Sequence, residues 1–456
     1  MQLLLQPAPE LKIYSTTNGN TVAYKKPNDQ GAEVWDGFDV NDSAVTLLRH
    51  LQQCQQASSF VTTFCAAHHL DESQARGWIE RFVLEMVDRK AIRVCESDET
   101  SLPETIEIPV LNSARPSSPR SVIVEITNTC NEACDHCYLS AGPKRNDRLD
   151  VEEFEALCRE MHDAHVYRLQ LTGGEVFMHP QFAEILDISL REFSEVAVFT
   201  NGTILSERVL RMLVAHRERV TVSISLDSAK AETHNRLRNH RRAYEKTCAN
   251  VRRLTEAGVF VRISAVLFDD NMWEVDAMAQ QAHDLGARMF VFNFIEGFGR
   301  GKDMVERQTG QEGRDYLDYL AEIVEKYRDI IPVVQEEQRS EAAVRANCGA
   351  GSNSVVISAN GDLRPCNLFP ESFSYGNVRE SSWDELAGNS VALKLREIPA
   401  PSQHTGCPKD CEHATYCRGC LLHALSVNAT REPEAYCSWV RDNEAETLVA
   451  RYAACL

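Results

Sequence analysis

The sequence predicts an α/β protein built on a parallel sheet of about six β/α units, with a small unit of strands and helices before it and a cysteine-rich region after it. Three observations carry that reading. Between residues 120 and 332, short apolar runs alternate with amphipathic helical stretches: Val122 to Ile126, Leu169 to Thr172, Val196 to Thr200, Val220 to Leu226, Val259 to Leu267 and Met289 to Phe294. Residues 1–96 instead place strands first and helices afterwards. From residue 333 onward the alternation stops, and cysteine, glycine and proline rise, as in a small fold organised around metal.

In the first unit, Leu11 to Ser15 and Thr21 to Tyr24 flank Asn18-Gly19, a hairpin signal, and Glu33 to Phe38 offers a third strand. Helices are expected from Ser43 to Gln53, from Ser58 to His68, and from Asp71 to Arg89, with Asp71 as N-cap. In the third, Trp78, Ile79, Phe82, Val83 and Met86 form one stripe at helical spacing, which reads as the unit's own core. Residues 97–119, broken by Pro103, Pro109, Pro116 and Pro119, read as a linker. The domains are thus 1–96, the linker 97–119, an α/β domain 120–332 and a cysteine-rich domain 333–456.

A chain of 456 residues is about three domains long. Hydrophobic residues at 43% and charged residues at 25% are globular proportions, and no apolar run approaches the roughly 18 residues that span a bilayer. With no secretion signal at the N-terminus, the expected location is the cytoplasm. A net charge of −19 repels phosphate backbones, so nucleic acid is not an expected partner. Sixteen cysteines in a reducing compartment point to metal or catalysis rather than disulfides. Cys54, Cys65, Cys95, Cys158, Cys248 and Cys455 are scattered and read as small buried hydrophobes.

The remaining cysteines cluster. Cys130, Cys134 and Cys137 form C-x3-C-x2-C directly after the first strand of the α/β domain. Three thiolates on one loop can wrap three corners of a cubane iron-sulfur cluster and leave one iron without a protein ligand. A structural zinc site would want a fourth ligand, for which His136 is awkwardly close. Thr172-Gly173-Gly174-Glu175 ends the second strand, where paired glycines permit close backbone approach to a ligand. Thr200-Asn201-Gly202 and Ser225-Leu226-Asp227 end later strands, where α/β proteins place ligand contacts; each could equally be a turn or helix cap. Seven more cysteines follow: Cys348, Cys366, Cys407, Cys411, Cys417, Cys420 and Cys437. A zinc ribbon over Cys407 to Cys420 is an alternative.

On the cysteine loop and the Gly-Gly-Glu segment, the central domain resembles the radical S-adenosylmethionine (SAM) enzymes, which fold as a partial (β/α)6 barrel. The resemblance implies that SAM chelates the open iron, that Gly173, Gly174 and Glu175 hold its methionine amino group, and that Thr200, Asn201, Ser225 and Asp227 face its ribose and methionyl part. It places His136 near the adenine and Arg238 on the SAM carboxylate; a solvated loop histidine and a surface arginine are the plain alternatives.

The C-terminal cysteines resemble the SPASM extension with its two auxiliary [4Fe-4S] clusters, although the middle spacing here is x3, x5, x2 where the family has x2, x5, x3. By the family's crossed pattern, Cys407, Cys411, Cys417 and Cys437 close one cluster, while Cys348, Cys366 and Cys420 hold the other with an open iron. Residues 1–96 resemble the winged-helix-like peptide-recognition domain (RRE) of enzymes that modify ribosomally made peptides. A DNA-binding winged helix, in an iron-sulfur regulator, is the rival. Between Ser43 and Val94, however, six Lys or Arg face five Asp or Glu, too balanced for tracking phosphates.

Phe260-Val261-Arg262, Asn271-Met272-Trp273-Glu274, Phe298-Gly299-Arg300-Gly301 and Asn347-Cys348-Gly349-Ala350-Gly351 resemble segments of the sactipeptide family of thioether-forming maturases. The resemblance implies SAM, three [4Fe-4S] clusters, a precursor peptide with a leader bound by residues 1–96 and a Cys-containing core, and a one-electron reductant such as flavodoxin or ferredoxin. Carbon-carbon crosslinking, epimerisation and oxidative backbone cleavage use the same parts. No catalytic acid or base is legible.

Overall fold

The computed structural model describes residues 2–16, 19–27, 33–52, 56–97, 107–112, 119–305, 314–335, 348–351 and 354–401, and residues 404–456 except 405, 409, 410, 414–416 and 418. The chain divides into two compact units, residues 1–118 with 163–165, and the remainder from residue 119. No helix among the described residues is long and apolar enough to cross a membrane.

In the first unit, β1 (Gln2–Pro7) pairs antiparallel with β5 (Ile92–Ser97). A four-stranded sheet runs β4-β3-β2-β6, from β2 (Lys12–Thr16), β3 (Gly19–Pro27), β4 (Glu33–Val40) and β6 (Val110–Asn112). Thr16 stands opposite Gly19, so the predicted hairpin forms; Asn18 itself lies outside the described residues. Helices cover Asp42–His50, Ala57–Ala67 and Glu72–Asp88, and the Asp71 carboxylate accepts from the Ser73 and Gln74 amides as the predicted N-cap. Ile79 and Met86 are buried in a core with Leu47, Leu48, Phe60 and Phe64, and Trp78, Phe82 and Val83 pack against it.

Two sequence expectations change here. The segment 97–119 is not simply a linker, because β6 within it pairs parallel with β2. The pair β1 and β5 was not foreseen; Val94 and Leu3 on it are exposed, which blurs the alternation that marks a half-buried strand.

The second unit is organised on one sheet, in the order β13-β12-β11-β10-β9-β8-β7-β14-β15. Its six central strands are the predicted ones: β7 (Ser121–Thr127), β8 (Arg168–Gly173), β9 (Glu195–Thr200), β10 (Val220–Ser225), β11 (Phe260–Leu267) and β12 (Met289–Phe294), all parallel. The sheet does not stop at residue 332. β13 (Val333–Gln335) adds parallel to β12, β14 (Ser354–Ile357) adds parallel to β7, and β15 (Leu363–Arg364) closes a hairpin on it. The cysteine-rich region is therefore continuous with the sheet. Its own core gathers Phe369, Phe373, Leu421, Leu425, Trp439 and Tyr452. Of the scattered cysteines, Cys65, Cys158 and Cys248 are buried as expected, whereas Cys95 and Cys455 are partly exposed; Cys54 lies outside the described residues.

Candidate functional site

The loop after β7 carries Cys130 and Cys134 buried and Cys137 partly buried. Other segments hold its backbone in place. The Ala133 and Asp135 amides donate to the Arg238 and Leu237 carbonyls at 3.4 and 3.0 Å. Arg300 donates from Nε to the Cys134 carbonyl at 2.7 Å and from its amide to the Cys137 carbonyl at 3.0 Å. Gly299, at φ +53°, lies so close that a Cβ would fall 2.4 Å from both the Cys137 and Tyr138 carbonyl oxygens.

The Gly-Gly-Glu segment is a second clamp. The Gly174 amide donates to the Thr127 carbonyl at 2.6 Å and the Glu175 amide to the Thr129 carbonyl at 2.9 Å. A Cβ on Gly173 would sit 2.2 Å from the Thr127 oxygen, and one on Gly174 2.4 Å from the Thr129 oxygen. The close approach these glycines permit is thus to the root of the cysteine loop itself. Burial pushes the Glu175 carboxyl up to about 7, although Thr200 Oγ1, the Asn201 amide and the Phe177 amide all donate to it. Asn201 reaches on to the Asn131 amide oxygen at 2.9 Å and to Cys130 Sγ at 3.9 Å, which brings Thr200 and Asn201 to the cysteine loop.

Beside the loop lies a buried charge lattice. Arg238 Nε and Nη2 donate to Asp227 Oδ2 at 2.8 and 2.7 Å, Nη1 lies 3.5 Å from Glu132 Oε2, and Nη1 also points to Cys134 Sγ at 3.8 Å. Arg238 is no surface arginine. Burial raises the Asp227 pKa, but Arg238, then His136 and His234, outweigh it and bring the carboxyl down to about 2. Nor is His136 a solvated loop residue. Its side chain is buried, stacks on Phe268, and places Nε2 3.4 Å from Asp227 Oδ2, while burial holds its pKa below the usual range. Ser225 ends β10 in register with Ser264.

Burial also pushes the Cys130 thiol up to about 12 and Cys134 well above its ordinary value. Such thiols ionise only when a metal compensates the charge. Nearby, Asn128 Oδ1, Glu132 Oε1, His136 Nδ1 and Arg300 Nη2 are buried without a hydrogen-bond partner among the described residues, which suits a polar ligand bound beside the loop. Among the described residues no three or more His, Cys, Asp or Glu draw together tightly enough for a single metal ion.

The C-terminal thiols fall into two sets by the charges that act on each. Burial and then Cys348 raise Cys366, to about 12, and burial, Cys348 and Cys366 raise Cys420. Burial, Cys437, Cys411 and Cys407 raise Cys417, to about 11, and Cys407 in turn feels Cys437 and Cys411. Cys366, Cys407, Cys417, Cys420 and Cys437 all pack against the C-terminal apolar core. The fully buried Asn428 grips Cys437, accepting from its amide at 2.9 Å and donating to its sulfur at 3.3 Å.

Sequence reading missed Glu132, Arg300 and Asn428. Glu132 had a signal, a carboxylate between two cysteines of a loop that must be buried; Arg300 had another, an arginine between two glycines.

Three cysteines on one loop, set beside a buried arginine and polar atoms at the end of a parallel strand, fit the radical SAM class of iron-sulfur enzyme. Residues 124–282 match the Radical SAM superfamily, and residues 348–421 match SPASM, an iron-sulfur cluster-binding domain. The chain is 33% identical over 414 residues, 90% of each protein, to the antilisterial bacteriocin subtilosin biosynthesis protein AlbA of Bacillus subtilis. It is 25% identical over 278 residues to the sporulation killing factor maturation protein SkfB of the same organism, covering 61% of this chain and 67% of that one. In fold it is similar to Streptococcus suis SuiB, in a crystal structure bound to precursor peptide SuiA, with TM-score 0.59 at 13% identity over 86% of this chain and 90% of that one. The chain belongs to the radical SAM peptide maturases of the AlbA and SPASM type, whose cofactors are SAM and [4Fe-4S] clusters, auxiliary ones included.

Proposed function

We propose that the chain joins a cysteine sulfur to a carbon of a ribosomally made precursor peptide, forming a thioether. The observation that carries this reading is the 33% identity to AlbA over 90% of the chain, supported by the cysteine count: residues 348–437 offer seven, one short of the eight ligands that two four-iron clusters take. Cys407, Cys411, Cys417 and Cys437 would fill a four-iron cluster, while Cys348, Cys366 and Cys420 leave one ligand position for the substrate cysteine.

When bound, SAM and the cluster held by Cys130, Cys134 and Cys137 supply the 5'-deoxyadenosyl radical that takes hydrogen from the peptide carbon. The chain's residues orient and exclude water. Gly173, Gly174 and Glu175 would hold the SAM amino group, Arg238 its carboxylate, His136 the adenine, and Thr200, Asn201, Ser225 and Asp227 the ribose and methionyl part. Overall, a C–H and an S–H bond would be replaced by a C–S bond. One hydrogen would leave in 5'-deoxyadenosine, the thiol proton would go to solvent, and an auxiliary cluster held by the C-terminal cysteines would take the surplus electron. A flavodoxin or ferredoxin would supply the electron that starts each turnover, in a cytoplasm that keeps the thiols reduced.

The leader would bind the first unit by adding a strand to β4, which lies at the edge of its sheet. Incubating the reconstituted chain with SAM, reductant and a Cys-containing precursor encoded beside its gene tests the reading. The expected product has lost two hydrogens per crosslink and resists thiol alkylation. A product that has lost hydrogen but still alkylates at every cysteine would point to carbon-carbon crosslinking instead.

A further inference from the structure

A buried ion pair, used by nothing described so far, joins the two halves of the second unit. Glu125 on β7 and Arg364 on β15 meet at 2.6 Å with side chains 0% and 1% exposed. Tyr138, directly after Cys137, donates from its hydroxyl to Glu125 Oε1 at 3.4 Å, and Glu125 Oε2 is buried without a partner among the described residues. On the other side, Arg364 lies two residues before Cys366. Its Nη1 donates to the Phe369 carbonyl at 2.6 Å and its Nε to Ser358 Oγ at 2.9 Å, while the Phe369 amide returns to the Cys366 carbonyl at 3.2 Å. The guanidinium therefore closes the turn that presents Cys366.

An ion pair this deep is costly to desolvate and is strongly destabilising to break by removing one partner, so a stability role alone is a weak account of it. Its position supplies a better one. Through its bond to the Phe369 carbonyl, the guanidinium brings a fixed positive charge to the turn that presents Cys366. Uncompensated, a fixed positive charge beside a cluster ligand would favour the reduced cluster, because net charge is among the determinants of cluster potential.

We propose that Arg364 is a positioning residue for Cys366, and that Glu125, oriented by Tyr138, supplies the compensating charge that sets the reduction potential of the cluster held by Cys348, Cys366 and Cys420. The proposal rests on the reading of those three cysteines as ligands. It gives the cluster that must accept an electron during bond formation a potential governed by β7, the strand that leads into the SAM cluster loop. Tyr138 extends the link to the residue next to Cys137.

The test is an EPR-monitored redox titration of the full-length reconstituted chain, with iron content measured in parallel. The signal and iron lost in Cys366→Ala identify the cluster concerned. Glu125→Gln should keep the wild-type iron content and shift the one-electron equilibrium toward reduction by about a factor of ten, 59 mV positive for such a couple. Arg364→Lys keeps the charge but loses the fork. It should keep the wild-type potential and release iron to a chelator faster. Full iron with an unshifted potential in Glu125→Gln overturns the charge role, and wild-type iron release in Arg364→Lys overturns the positioning role. Should Glu125→Gln fail to fold, Tyr138→Phe takes its place, with a shift in the same titration expected and its absence counting against the proposal. Wild-type iron content in Cys366→Ala would instead sink the ligand assignment, and the proposal with it.

Discussion

Cys130, Cys134 and Cys137 sit within one loop at the end of one strand, whereas the seven C-terminal cysteines are strung from residue 348 to residue 437, and Cys366, Cys407, Cys417, Cys420 and Cys437 pack against one apolar core. The loop is held by backbone contacts from other segments, at Gly174, Glu175, Leu237, Arg238 and Arg300, and is set against buried charges. The C-terminal thiols rest on an apolar core and on single side chains such as Asn428 and Arg364. Rigid main chain fixes the site where a radical must be generated in one place. The C-terminal cysteines are set instead largely by the side chains packed around them.

The largest expected effect separates the two regions chemically. Cys130→Ala should reduce SAM cleavage to background, since loss of one buried thiolate loses the loop's cluster. Cys411→Ala should retain 5'-deoxyadenosine formation and lose the crosslinked product. Chromatographic assay of 5'-deoxyadenosine with mass spectrometry of the peptide checks both. Equal loss of cleavage in the two variants would break the distinction.

Glycines offer a second contrast. Gly174→Ala drives a methyl group to 2.4 Å from the Thr129 carbonyl, a main-chain collision that cannot relax by a rotamer change, and it should cost about 3 kcal/mol or more. Gly419, between Cys417 and Cys420, has no described residue within 4 Å of an added Cβ, so Gly419→Ala should stay within about 0.5 kcal/mol. Chemical unfolding midpoints and iron incorporation would measure each.

The same contrast explains what the sequence made legible. All six central strands could be read, because buried strands show either continuous apolar runs, as in residues 196–199 and 289–292, or apolar residues alternating with polar ones, as in Val220–Ser225. The short strands β13, β14 and β15 could not, since two to four residues carry no period and are set by the neighbour they pair with. Cys130, Gly174 and Asp227 announced themselves by local spacing. Glu125, Tyr138 and Arg364 did not, since residues 239 apart in the chain become partners only in the folded sheet.

The charge lattice beside the cysteine loop predicts an acid sensitivity. Burial, assisted by Arg238, lowers His234 to about 3 from an unfolded value near 6.5, and its Nδ1 accepts from the Asp227 amide. Between those values the unfolded chain binds a proton that the folded chain does not, so this contribution is full above about pH 6.5 and is lost as pH falls toward 3. Asp227 adds loss in the same direction between its unfolded 3.8 and about 2. His234→Asn, which keeps an acceptor and removes the titration, should flatten the decline in unfolding midpoint between pH 7 and pH 5. An identical slope in the variant would show that other groups govern it.

The smallest effect on SAM cleavage is expected from removing the first compact unit. The first unit has its own core, centred on Leu47, Phe60, Phe64 and Ile79, and every ligand assigned to SAM or a cluster lies beyond residue 119. A cut after residue 96 would leave β6 without β2, and would also divide β5, so the informative deletion removes residues 1–118. The shortened chain should cleave SAM without peptide at a rate within about twofold of the full chain, because domains with separate cores fold and act independently to first order. Its affinity for a fluorescent leader peptide, read by anisotropy, should fall to the limit of detection. Retained leader affinity would move peptide recognition into the second unit. Loss of peptide-independent cleavage, in a chain that still takes up its iron, would show that the first unit shapes the SAM site as well as the peptide's approach to it.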